Sequence, residues 1–108
     1  MSDKKFKFQG ELKKLIEPIG SALASDKITV DGLLVGFMYR EEPSFETDSG
    51  WRFFSGTESQ EYVDNPDNLL IFDLNTIANF DEAIIPYLYM EIGVELERKI
   101  DNTFCLVE

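Results

Sequence analysis

The sequence predicts a single α+β domain: a mainly antiparallel sheet of about five strands with short helices packed on it. Three observations carry that reading. The 108 residues are 44% hydrophobic and 13% aromatic, which suits one folded core. Turn signals at Asp31-Gly32 and near Asp101-Asn102 sit between apolar runs, where hairpins form. No long helical stretch separates successive strand-like segments, as a parallel crossover requires.

In chain order, Phe6 and Phe8 alternate with lysines near the N-terminus, consistent with a weak strand or a frayed arm. Leu12, Leu15 and Ile16 fall at i, i+3, i+4, the apolar stripe of a short packing helix over 11–17 that Pro18 and Gly20 would end. A further turn over Ser21–Ser25 is compatible with it. Lys27–Val30 reads as the first strand. Asp31-Gly32 is its hairpin turn, and Leu34–Arg40 returns as a second strand covered on both faces. A polar loop from Glu41 through Ser49 follows, with Pro43 arguing against continued pairing.

Asp48-Ser-Gly-Trp-Arg-Phe-Phe-Ser-Gly56 is the stretch around which the chain is organised. Trp51 and Phe53 share one face of the Trp51–Ser55 strand, and Arg52 and Phe54 the other. The thirteen residues 56–68 form a polar loop, and Leu69–Phe72, apolar throughout, reads as a central strand. Asp73 and Asn75 are candidate caps of a helical turn ending at Phe80, with Ile77 and Phe80 inward. Asp81 offers a second cap before a turn limited by Pro86. Ile92–Lys99 and Thr103–Val107 make a terminal hairpin. Residues 1–24 are an arm and short helix preceding the domain proper, 25–108.

Function classes are narrowed mainly by absence. No histidine occurs, which removes the usual general base and zinc ligand, and with them every Ser-His or Cys-His nucleophile pair. Cys105 stands alone and has no intrachain partner for a disulfide. No apolar run spans a bilayer and no secretory leader is recognisable, so a cytoplasmic protein is the expectation.

The net charge is −11, and residues 41–97 hold fourteen acidic side chains against one basic, Arg52. Such a surface repels nucleic acid and anionic membranes and attracts cationic partners. Asp64-Asn-Pro-Asp-Asn68 has the oxygen-rich look of a calcium loop. It lacks the bend glycine, and turn chemistry accounts for it better. Paired carboxylates permit glycosidase-type chemistry, but no spacing singles out a pair. Glycines 32, 36, 50 and 56 build no phosphate-cradling loop. Neither a metal site nor a cofactor is expected.

Val35-Gly-Phe-Met-Tyr-Arg-Glu-Glu-Pro43, Asp48–Gly56 and Asp73-Leu-Asn-Thr-Ile-Ala-Asn-Phe-Asp81, taken together, resemble the DUF2185 family, an Imm33-like immunity-protein domain of bacterial polymorphic toxin systems. The resemblance runs from about Ser25 to Arg98. It implies a non-catalytic protein-binding module that neutralises a toxin, with a basic protein such as the cognate toxin as partner. An acidic inhibitor of a basic toxin gains association rate by steering. Glu41, Glu42, Asp48, Arg52, Glu58, Glu61, Asp64 and Asp67, from the two loops bracketing the Trp51 strand, are the expected partner-binding residues. Seven of them are acids expected to contribute to one exposed negative surface. Arg52 has a second reading, as a guanidinium that binds carboxylates and ties neighbouring loops. A carboxylate-dependent enzyme and a regulatory accessory module remain the alternatives.

Overall fold

The computed structural model describes residues 12–107 and carries six strands and three short α-helices. In chain order these are β1 (Ser21–Ser25), α1 (Asp26–Thr29), β2 (Phe37–Arg40), β3 (Asp48–Phe54), α2 (Gln60–Asp64), β4 (Leu69–Asp73), α3 (Leu74–Phe80), β5 (Glu95–Arg98) and β6 (Phe104–Leu106). Short 3-10 turns cover Pro66–Asn68 and Glu82–Tyr87. The sheet order is β4-β1-β3-β2-β5-β6. Only β1 and β3 run parallel; the other four pairings are antiparallel. The α+β class and the mainly antiparallel sheet hold. The Phe6–Phe8 alternation lies outside the described residues.

All seven residues of β3 are buried, because the strand is flanked on both sides and covered on both faces. Trp51 and Phe53 point to one face, their rings stacked at 6.0 Å. There they join Ala22, Ala24, Ile28, Met38, Leu74, Ile77, Ile84, Leu88 and Leu96 in the core. The indole N–H of Trp51 donates to the Leu88 carbonyl at 3.0 Å, so the ring is buried with its one polar atom satisfied. Asp73 caps α3 by accepting from the Asn75 N–H, and Asp81 caps the following 3-10 turn through Ala83. The terminal hairpin forms, its strands shorter than the expected Ile92–Lys99 and Thr103–Val107, and its turn passes through Asn102 at φ 68°.

Six local expectations are overturned. Residues 12–17 are not helical. Their backbone is held instead by two side chains of α3: Asn75 accepts from Leu15 and Ile16, and Asn79 accepts from Lys13. With these N–H groups satisfied by amide side chains, the stretch needs no helical bonds, and Pro18 bars its extension. The Ser21–Ser25 segment is a strand, its alanines small enough to lie flat beneath the core. The expected strand at Lys27–Val30 is α1, begun by Ser25 accepting from the Lys27 N–H.

Asp31-Gly32 therefore ends a helix and makes no hairpin. Gly32, at φ 80°, turns the chain so that it donates back to the Ile28 carbonyl and Leu33 to that of Lys27. A positive φ at glycine serves a hairpin and a helix end equally. The second strand shrinks to Phe37–Arg40. Finally, Leu69–Phe72 is the edge strand β4, with Ile71 57% exposed. Its continuous apolar run does not reflect a central position.

Candidate functional site

The core, with α1, α3 and the Glu82–Tyr87 turn, occupies one face of the sheet. The register places Leu23, Arg52, Phe54, Phe37, Tyr39, Glu95 and Glu97 on the other. Two features are built there: a buried arginine clasp and an aromatic strip edged with carboxylates.

The clasp follows from the Asp48–Gly56 phrase. Arg52 is 2% exposed and donates to both Asp48 oxygens, at 2.9 and 2.7 Å, in a bidentate pair. Its Nε donates to Glu41 at 2.7 Å, and the nitrogen that reaches Asp48 Oδ2 also donates to the Ser44 hydroxyl. Asp48 also accepts from the Ser44 and Gly50 N–H groups. Gly50 makes the meeting possible. At φ 92° its missing side chain would stand 2.2 Å from the Glu41 carbonyl, so only glycine lets the 41–47 loop lie against β3. The Arg52 hydrogen bonds hold the Asp48 carboxyl far below the usual carboxylate range, against the opposing effect of burial, and raise the guanidinium in turn. This is a structural lock, the second of the two roles read for Arg52.

The eight residues expected to bind a partner are thus divided. Asp48 and Arg52 are buried in the clasp, so Asp48 does not belong to an exposed negative surface. Glu41 is exposed but committed to Arg52, while Glu42 is exposed. Glu58 is half-buried and turned into its own loop, accepting from the Ser55 and Gly56 N–H groups and the Ser55 hydroxyl. Burial raises its carboxyl, but these bonds and the Ser25 hydroxyl outweigh it and the net shift is downward. Glu61 and Asp64 are exposed on α2, where Asp64 accepts from the Gln60 amide, and Asp67 is exposed in the 3-10 turn. The 41–47 and 55–68 loops leave opposite ends of β3, and the strand does not bring them together.

What lies between them was not anticipated. Phe37, Tyr39 and Phe54 form a three-ring strip with centroids 5.8 to 6.4 Å apart. Cross-strand pairing sets Glu95 beside Tyr39 and Glu97 beside Phe37, both exposed. A cleft of about 520 Å³ opens along the strip, lined also by Glu58, Gln60 and Val63. A second depression on the far side of Phe37 and Tyr39 carries Glu41 and Glu95. Desolvation, then Glu41, raises the Tyr39 hydroxyl pKa. The alternations Phe37/Tyr39 and Glu95/Glu97 were visible in the sequence; their adjacency depends on β2–β5 pairing, which no local signal specifies.

Among the described residues no three metal-ligating side chains cluster, and no helix is long and apolar enough to cross a membrane. The face opposite the core thus carries an aromatic strip edged with carboxylates. The chain belongs to the Imm33 immunity protein domain family, whose model matches residues 22–108, from the second residue of β1 onward. That membership implies a toxin-neutralising role with a cognate toxin as partner. No curated protein and no solved structure matches it.

Proposed function

We propose that this protein neutralises its cognate toxin by stoichiometric, non-catalytic binding, and that its acidic surface draws in a basic partner. The family match over residues 22–108 is the observation that carries the reading. The charge distribution supports its electrostatic part, with fourteen acids against one base across 41–97. Exposed Glu42, Glu61, Asp64 and Asp67 contribute to the attracting field, while the Arg52 clasp fixes the loop that carries Glu41 and Glu42. Steering of this kind raises the association rate more than it slows dissociation.

The test is protection. The toxin encoded beside the gene is expressed in a sensitive host with and without this chain, and growth is followed. Protection, together with inhibition that saturates at one inhibitor per toxin in vitro, is the expected result. Association should slow strongly with added salt, and the Glu42→Lys/Glu61→Lys/Asp64→Lys variant should associate more slowly at an unchanged melting temperature. Failure to protect would overturn the immunity reading. Protection by wild type with salt-independent association would overturn only the steering.

A further inference from the structure

We propose that the strip of Phe37, Tyr39 and Phe54, edged by Glu95 and Glu97, seats an arginine side chain presented by the protein partner. The identity of that partner rests on the immunity reading; the seat itself rests on geometry. Around the strip, three guanidinium groups, of Arg40, Arg52 and Arg98, face six carboxylates. All three are already committed: Arg52 to Asp48 and Glu41, Arg98 to Asp81 and, through NH1, to the Val35 carbonyl, and Arg40 to the Ser49 and Met90 carbonyls beneath the sheet. Asp48, Asp81 and Glu41 are therefore occupied, and Glu58 is held by its loop. Glu95 and Glu97 remain, with no side-chain hydrogen bond or ion pair to any described residue.

The arrangement selects the chemistry of its occupant. An apolar side chain would fill the cleft beside Phe37 and Tyr39 but would bury carboxylates without partners, and an anion would be repelled. A planar, weakly hydrated guanidinium does both things the strip offers: it stacks on a ring face and donates sideways to a carboxylate. Glu95 and Glu97 are two residues apart on β5, about 7 Å along the strand. Each flanks one ring of the Phe37–Tyr39 pair, so a guanidinium laid over either ring has a carboxylate at its edge. Lysine, a compact and strongly hydrated charge, gains less from the rings.

The experiment needs no toxin. Full-length, isotope-labelled protein is titrated with N-acetyl-arginine amide and followed by amide NMR. Saturable shifts concentrated at residues 36–39, 54 and 95–98 are expected. N-acetyl-lysine amide should bind more weakly, and the Glu95→Gln/Glu97→Gln variant about tenfold more weakly than wild type at the same melting temperature. Shifts centred on residues 42–46 or 64–67, which line neither depression, would overturn the seat. So would wild-type titration by the double variant, or spermidine binding at the same residues as tightly as arginine. Once protection has identified the toxin, the double variant should bind it about tenfold more weakly. Unchanged toxin binding by that variant overturns the seat and leaves the immunity reading standing, whereas absence of protection overturns the immunity reading and leaves the NMR mapping intact.

Discussion

Replacing Arg52 by methionine is expected to destabilise the domain by about 3 kcal/mol, near the lower end of the cost of breaking a buried pair from one side. The size follows from what is left behind. The Asp48 side chain is fully buried, and without Arg52 it keeps its two backbone donors, Ser44 and Gly50, but loses its counter-charge. Those two donors keep the cost below the upper part of the range. Glu41 behaves differently: its side chain is 53% exposed, so Glu41→Gln should cost under about 1 kcal/mol, the range for exposed pairs. Urea unfolding at neutral pH, followed by Trp51 fluorescence, measures both.

The same clasp should set the acid limb of stability. The Asp48 carboxyl titrates lower in the folded chain than in the unfolded one, where it lies near 3.9. As pH falls through that window the unfolded state binds the extra proton, so the contribution is whole above about pH 5 and drains below it. Asp48→Asn should be less stable at pH 7 and lose less on acidification. An Arg52→Met cost below about 1 kcal/mol, or parallel acid profiles for wild type and Asp48→Asn, would refute the clasp as a buried, charge-dependent lock.

Three further outcomes are expected. Trp51→Ala should cost about 3–5 kcal/mol by denaturant unfolding, and acrylamide should quench native Trp51 poorly, because the ring is fully buried. Gly50→Ala should cost at least about 1–3 kcal/mol, since it combines a positive φ with a collision against the Glu41 carbonyl; Gly56→Ala, with no neighbour closer than 3.9 Å, should cost less. Asn75→Ala/Asn79→Ala should release residues 12–17, seen as faster amide exchange at Lys13, Leu15 and Ile16, with the core amides unchanged.

The parts of the fold legible in the sequence are those whose signals are local. Asp73 and Asp81 announce their caps because a carboxylate ahead of a helical turn has one obvious set of donors. Trp51 and Phe53 announce a core because alternation fixes their common face. Asp31-Gly32 misled because its chemistry is shared by two turns, and the choice between them is made by Ile28 dropping into the core. Residues 12–17 misled because their donors are satisfied by Asn75 and Asn79, about sixty residues away in sequence. Long-range partners of that kind leave no periodicity. The candidate site was half visible for the same reason. The Arg52–Asp48 pair lies within one phrase, whereas the strip needs β2 beside both β3 and β5.

These two features are mechanically joined. Arg52 lies next to Tyr39 across the β2–β3 pairing, so the clasp stiffens the floor on which the strip rests and anchors Glu41 at its border. A buried arginine that neutralised nothing would repel a cation arriving over Tyr39. Here its charge is more than cancelled by Asp48 and Glu41, and Glu95 adds to the balance in the adjacent position. The lock is therefore compatible with a cationic partner while holding the receiving surface in place before contact, which lowers the ordering cost of association. The same logic separates two kinds of variant. Changes at Asp48 or Arg52 should weaken binding only together with stability, and changes at Glu95 or Glu97 should weaken binding alone.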